Sequence, residues 1–194
     1  MKGRYNMCGR YNFIVEEDDE IMEILQKLNE KYQNTQVITG EVFPTNQAPI
    51  IVKEAKSITP TLSAWGFPKF DGKGVIINAR SESAFEKKTF RDSLLTRRCI
   101  IPSTGFYEWD KQKRKHFFRL EETNALYMAG LYSIYKGEMR YVVLTTNANE
   151  SMEGIHERMP LIIPKEELES WILEDNKTNY FLHTTPPKLR VAVV

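Results

Sequence analysis

The residue types that most often carry nucleophilic or proton-transfer chemistry near neutral pH are scarce in this chain. Cys8, Cys99, His116, His156 and His183 are the whole supply of cysteine and histidine. Cys8 lies beside Gly9 and Arg10, where a cation favours the thiolate. Cys99 opens the apolar run Cys99-Ile100-Ile101 and reads as a small buried hydrophobe. His116 falls in a basic hairpin and His183 in a weakly patterned tail, so both read as surface residues. His156 sits in Gly154-Ile155-His156-Glu157-Arg158-Met159-Pro160, and taken alone a structural role outweighs a chemical one. Zinc needs three or four ligands at workable spacing. Two Cys and three His scattered singly do not supply them, so no metal site is expected.

Glu108 follows Gly105-Phe106-Tyr107 and precedes Trp109. A carboxyl desolvated by aromatic neighbours keeps its proton to higher pH and suits proton transfer near neutrality. A strand acid facing solvent is the plain alternative, and the local sequence leaves both open. Asn78-Ala79-Arg80-Ser81-Glu82 offers an amide and a guanidinium at the end of the apolar strand Val75-Ile76-Ile77, a place where sites and ordinary turns both occur. Trp65, in Ala64-Trp65-Gly66-Phe67, is either a core residue, the commoner case, or a stacking surface for a nucleobase.

These residues must be held by elements that the patterning outlines. Asp18 to Tyr32 reads as an amphipathic helix, with Ile21, Leu25, Leu28 and Tyr32 at helical spacing and acids in its first turn. From Val37 to Lys53 the chain turns to short extended pieces broken by Gly40, Pro44 and Pro49. Leu62–Phe67 and Gly74–Ala79 read as strands joined by a turn. Ser83 reads as the N-cap of a second helix, with Glu86 as its capping-box partner. Ile100–Trp109 and His116–Leu120 read as strands about the basic turn, and Leu126–Tyr135 and Met139–Thr145 as a hairpin around Lys136-Gly137-Glu138. Glu150–His156 and Lys165–Leu173 read as short helices. Strands and helices interleave without regular alternation, which predicts a mixed α+β architecture rather than a doubly wound one.

At 194 residues, 41% hydrophobic and 27% charged, the chain has the material for one domain with a full core, and disorder is excluded as its overall state. No apolar run approaches the roughly 20 residues of a membrane span. The opening MKGRYNMCGRYNF lacks the apolar segment of a secretory signal, and two cysteines make no disulfide framework. A cytoplasmic protein with reduced thiols is expected. The net charge of +1 hides an asymmetry: Tyr11–Tyr32 sums to −5, while Lys69–Leu120 carries thirteen Lys or Arg against six Asp or Glu. A basic middle suits a polyanion-binding groove. Lys111, Lys113, Arg114 and Lys115 read as a solvated hairpin tip, whereas Arg80, Arg91, Arg97 and Arg98 are harder to dismiss.

Taken together, several segments are far more specific than any one alone. Met7-Cys8-Gly9-Arg10-Tyr11, Trp65-Gly66, Asn78-Ala79-Arg80-Ser81-Glu82, Ile101-Pro102, Gly105-Phe106-Tyr107-Glu108-Trp109, Ala129-Gly130-Leu131-Tyr132, Leu144-Thr145-Thr146 and Ile155-His156-Glu157-Arg158-Met159-Pro160 occur in this order. The chain thereby resembles the SRAP family (SOS-response-associated peptidases, or abasic-site processing proteins) from Met7 to about Trp171. The resemblance implies a single domain over 7–194 with a mixed, largely antiparallel, barrel-like β-core and flanking helices. It also implies a protein of the DNA damage response that binds single-stranded DNA and captures the ring-opened aldehyde of an abasic site. The cysteine that follows the initiator Met becomes residue one. Its α-amine forms a Schiff base and its thiol closes a thiazolidine. An α-amine with a pKa near 7.7–8.0 is about a tenth to a fifth free base at pH 7, far more than a lysine, and ring closure is an intramolecular step. By matching positions, Cys8 supplies amine and thiol, Asn78 orients the reacting end, Glu108 shuttles protons, and His156 stabilises the same intermediates and assists reversal. Arg80 and Arg158 grip phosphates with Arg10 near them, Trp65 and Pro44 pack against bases, and Thr145 touches the backbone. No metal or organic cofactor, no membrane and a monomeric state are implied, with nucleoid association when DNA is bound.

The chain departs from the pattern at its start, because Cys8 as written carries a peptide nitrogen, and an amide forms no Schiff base. Met1-Lys2-Gly3-Arg4-Tyr5-Asn6 is repeated at once as Met7-Cys8-Gly9-Arg10-Tyr11-Asn12, with only the second residue changed. Translation from Met7, removal of residues 1–6 after synthesis, or a crosslinking-defective chain each fit, and the repeat favours Met7 as the functional start. Two other functions use the same residues. One is a thiol hydrolase with Cys8, His156 and Asn78 in a Cys–His–Asn arrangement. The other is a non-catalytic single-strand-binding module.

Overall fold

The computed structural model describes residues 9–16, 18–33 and 37–194, so Cys8 and the expected extension over residues 1–6 lie outside the described residues. The strands run β1 (Tyr11–Phe13), β2 (Gly40–Val42), β3 (Gln47–Glu54), β4 (Ser57–Trp65), β5 (Phe67–Pro68), β6 (Val75–Ile76), β7 (Asn78–Arg80), β8 (Arg98–Ser103), β9 (Gly105–Trp109), β10 (Lys115–Arg119), β11 (Leu126–Tyr135), β12 (Glu138–Asn147), β13 (Arg158–Pro160) and β14 (Arg190–Val193). The helices are α1 (Asp19–Lys31), α2 (Lys88–Thr96), α3 (Leu168–Leu173) and α4 (Thr178–Leu182).

The expected hairpin around Lys136-Gly137-Glu138 is the pivot of the architecture. Its arms, β11 and β12, close a ring β11–β8–β3–β4–β12 that returns to β11. Every pairing in the ring is antiparallel except β4–β12. Closure leaves no edge for these strands, and Ile50, Ile100, Leu131 and Val142 on them are fully buried. Past the ring, the far end of β12 takes β7 as a parallel neighbour and β13 as an antiparallel one. A second sheet, ordered β14–β10–β9–β1–β2, is antiparallel throughout. The mixed, largely antiparallel, barrel-like core expected from the sequence is therefore present, flanked by helices.

Where β8 gives way to β9 the sequence reading needs correction. Ile100–Trp109 is not one strand: Arg98–Ser103 belongs to the ring and Gly105–Trp109 to the second sheet. Gly105 makes the corner with φ +149°, and a Cβ there would lie 2.4 Å from the Phe118 carbonyl and 2.6 Å from the Phe117 ring. α1 matches its reading. The Asp18 carboxylate caps it by accepting from the Glu20 and Ile21 amides, and Ile21 and Leu28 are fully buried, each worth roughly 2 kcal/mol. The second helix begins later than Ser83. Ser81–Ser83 is a single 3-10 turn, and α2 starts at Lys88 with no side-chain cap, because its apolar face is set by Phe90 and Leu94 further on. Glu150–Met152 is likewise a 3-10 turn rather than a full helix. The weakly patterned tail contains α4 and β14. No helix among the described residues is long and apolar enough to cross a membrane.

Candidate functional site

Two groups of residues make up the candidate site. The first stands on the second sheet. β1 runs beside β9 with Tyr11 opposite Phe106, and the Tyr107 amide donates to the Arg10 carbonyl at 2.9 Å. The same register brings Gly9 level with Glu108, so the chain enters β1 past that carboxyl. Glu108 is buried, 4% exposed, so the desolvated reading of this acid holds over the solvent-facing one. Alternation puts Tyr107 and Trp109 on the opposite face. There Arg10 lies 4.2 Å from the Phe43 ring and 5.1 Å from the Trp109 ring and donates to Glu41 at 3.0 Å. Lys115 also pairs with Glu41 and covers the Tyr107 ring at 3.9 Å. Hydrogen bonding from Lys115, with Arg10 nearby, holds the Glu41 carboxyl below its ordinary range. Phe43 is exposed and Pro44 beside it is half-buried.

The second group gathers where β7, β12 and β13 meet. Asn78 lies opposite Val143, and Arg80 opposite Thr145. Arg80 is exposed. Arg158 is not: it is 8% exposed, and both terminal nitrogens of its guanidinium are engaged. It pairs with both oxygens of Glu82, donates to Asn147 Oδ1 at 2.7 Å, and donates to the Thr145 carbonyl at 2.7 Å. The Arg158 hydrogen bond holds the Glu82 carboxyl below its ordinary range. His156 precedes β13, and its Nδ1 accepts the Arg158 amide proton at 3.0 Å. That bond fixes the tautomer of the neutral ring, with the proton on Nε2. A cavity of about 210 Å³ is lined by Trp109, Asp110, Lys111, Ile155, His156 and Glu157, and a larger one of about 560 Å³ shares Lys111, Ile155, His156 and Glu157 with it.

Three sequence-derived assignments change. Trp65 is fully buried, packed 5.2 Å from the Tyr11 ring and stacked 6.2 Å from Tyr141, with its indole N–H donating to the Ile77 carbonyl at 3.0 Å. Its faces are covered by protein, so it does not offer a base-stacking surface; it ties β1 to the residue preceding Asn78. The adjoining Gly66, at φ +112°, lets Val75 approach to 2.7 Å of where a Cβ would stand. Thr145 is fully buried and its hydroxyl donates to the Ala79 carbonyl at 3.4 Å, out of reach of a nucleic-acid backbone. Arg158 is committed to the Glu82 pair rather than presented to a phosphate. Among the other basic residues, Arg98 is buried, binding Asp175 and the Trp171 carbonyl. Cys99 is buried as expected, and burial pushes its thiol up. His183 is exposed as expected, but His116 is not: it is 6% exposed and paired with Asp110 at 2.9 Å. Sequence reasoning missed Phe43, Glu82, Asp110 and His116 as site neighbours. Glu82 lay inside a quoted motif, but the others carried no local signal. Among the described residues, no three His, Cys, Asp or Glu side chains converge as metal ligands would.

Residues 7–192 match the family described as SOS response associated peptidase (SRAP). The chain belongs to this family. The SRAP match extends beyond Trp171 and reaches into β14. Among SRAP-like relatives, the abasic site processing protein YoqW of Bacillus subtilis (strain 168) is 33% identical over 199 residues, 92% of this chain and 85% of the relative. The abasic site processing protein HMCES of Gallus gallus is 30% identical over 124 residues, covering 49% of this chain and 37% of its own. A crystal structure of a protein from Bacteroides thetaiotaomicron shares the SRAP fold seen here, with a TM-score of 0.78 at 24% identity, covering 96% of this chain and 92% of that one.

Proposed function

We propose that this protein captures the ring-opened aldehyde of an abasic site in single-stranded DNA through the amine and thiol of Cys8, once Cys8 is the first residue of the chain. The observation that carries the reading is the buried Glu108 carboxyl on β9, level with Gly9 where the chain enters β1. An amine one residue upstream of Gly9 has a proton acceptor beside its path. Imine formation needs a proton removed from the attacking amine and delivered to the departing hydroxyl, and one buried carboxyl can do both in turn. His156, protonated on Nε2 when neutral, acts as a donor to oxygen rather than as a base, which suits it to the sugar hydroxyl released on ring opening. Thiazolidine closure then adds the Cys8 thiol across the C=N bond; the sulfur bonds to carbon and the nitrogen takes the proton. Asn78 opens β7 and exposed Arg80 closes it, where they serve the reacting end and a flanking phosphate. Arg10, Phe43, Pro44 and Trp109 form a cationic and aromatic face suited to an unpaired strand. The protein acts as a monomer in the cytoplasm, on the nucleoid when bound to DNA, with Met7 as its functional start.

The hydrolase alternative draws less support, because His156 Nδ1 already accepts a main-chain proton and cannot be oriented by Asn78 as a Cys–His–Asn relay requires. The passive module loses its chief stacking residue with Trp65 in the core. Protein starting at Met1 and at Met7 should be mixed with a single-stranded oligonucleotide bearing one abasic site and run on a denaturing gel. A crosslink is expected with the Met7 form, lost in Cys8→Ala, lost when the sugar is reduced, and slowed at least tenfold by Glu108→Gln with DNA binding retained. Peptide cleavage without a crosslink would favour the hydrolase, and salt-sensitive binding alone the module.

A further inference from the structure

His116 lies on β10 directly opposite Glu108 on β9, so both side chains leave the same face of the sheet, about 5 Å apart at Cβ. Asp110, two residues beyond Glu108, belongs to that face as well. Its side chain is 2% exposed and saturated with donors. Oδ2 accepts from His116 Nε2 at 2.9 Å and from Arg114 Nε at 2.7 Å, and Oδ1 accepts from the Gln112 and Arg114 amides at 2.9 and 3.0 Å. The His116 hydrogen bond, with the Arg114 contacts, keeps the Asp110 carboxyl well below the usual carboxylate range, so it stays ionised. An ionised carboxylate only accepts, so His116 carries a proton on Nε2. Phe118, next along the face, closes the imidazole off with its ring 6.5 Å away, and β14 sets Val193 opposite it.

We propose that His116, locked by Asp110, is a positioning residue for Glu108: it stands between two carboxyl groups that share one face of β9, holding one by a hydrogen bond and facing the other. This rests on the reading of Glu108 as the proton shuttle. Two carboxylates two positions apart on one strand face repel, and an N–H donated to one of them from across the strand disperses its charge and weakens that repulsion. The groups facing the imidazole are Asp110 and Glu108 from β9 and Arg114 from the hairpin, with Lys111, His156 and Glu157 around the cavity that Asp110 lines. Lys115 and Arg10 face the other way, toward Glu41.

The test uses the full chain from Met7, with His116→Gln and, to keep ring volume, His116→Phe. The Glu108 side-chain carboxyl is titrated by carbon-13 NMR, and the crosslinking rate on an abasic oligonucleotide is followed against pH. In both variants the Glu108 midpoint is expected to move to higher pH by about one unit, about a tenfold change in proton affinity, and the rising limb of the rate profile to move with it. Glu108→Gln should then cost less in the His116→Gln background than alone. A Glu108 midpoint unmoved in both variants overturns the proposal, as does full additivity. Failure of the parent chain to crosslink would sink the functional reading alone, because the NMR midpoints still decide whether His116 acts on Glu108.

Discussion

Trp65 and Arg158 show how a side chain whose type suits nucleic-acid contact can be engaged entirely by its own protein. Trp65→Phe removes the hydrogen bond to the Ile77 carbonyl and part of a filled volume between Tyr11 and Tyr141. A loss of about 2–3 kcal/mol in stability is expected by urea denaturation, with single-strand affinity per folded molecule unchanged. A selective loss of affinity would restore the stacking role. The Glu82–Arg158 pair makes a second prediction with a definite sign. The Glu82 carboxyl titrates below its ordinary 4.5 in the folded state, mainly through the Arg158 hydrogen bond. Its stabilisation is therefore present above pH 4.5 and is lost as the pH falls through and below that value. Because the Glu82 side chain is 42% exposed, the contribution is discounted to about 1 kcal/mol. Glu82→Gln should lower stability by that amount at neutral pH and flatten the decline between about pH 5 and pH 3. The same variant releases Arg158 and removes a like charge near the strand, so affinity for single-stranded DNA at low salt should rise twofold or more.

At the scale of elements, the corner at Gly105 decides whether Glu108 belongs to the ring or to the second sheet. Gly105→Ala drives a methyl group into the Phe118 carbonyl and the Phe117 ring and imposes an unfavourable φ. A loss of at least 2 kcal/mol is expected in chemical denaturation, with slower crosslinking in whatever remains folded. This corner marks where the sequence stopped being legible. α1 and the β11–β12 hairpin could be read directly, because helical spacing, acids in the first turn and a Lys-Gly turn are local signals. Ile100–Trp109 looked continuous, because both halves are apolar and nothing local tells a ring strand from its neighbour across one glycine. Asn78, Glu108 and His156 were legible through motifs quoted in order, while Asp110 and His116 were not. Their pairing spans a hairpin whose charged tip read as solvated. A histidine's burial depends on what the adjacent strands set against it, here Glu108 on β9 and Val193 on β14, which no window around His116 contains.

Over the whole molecule, the basic excess of Lys69–Leu120 is partly neutralised by the fold. Arg98 lies inside against Asp175, while Arg114 and Lys115 answer Asp110 and Glu41. The cations left to meet a polyanion are fewer than the count suggests, and Arg80 is one of them. Arg80→Ala should weaken binding to damaged and undamaged single strands alike. It should also lower the slope of log affinity against log salt by about 0.7, as expected for one lost phosphate contact. An unchanged slope would remove Arg80 from the interface. β1 is hydrogen-bonded on both sides, to β9 and to β2, and a residue joined ahead of Gly9 can stray no more than about 3.8 Å per step from that clamp. A purification handle fused in front of Met7 would thus yield material that folds and grips DNA yet is chemically mute, whereas the same handle after Val194 would leave the reagent end bare.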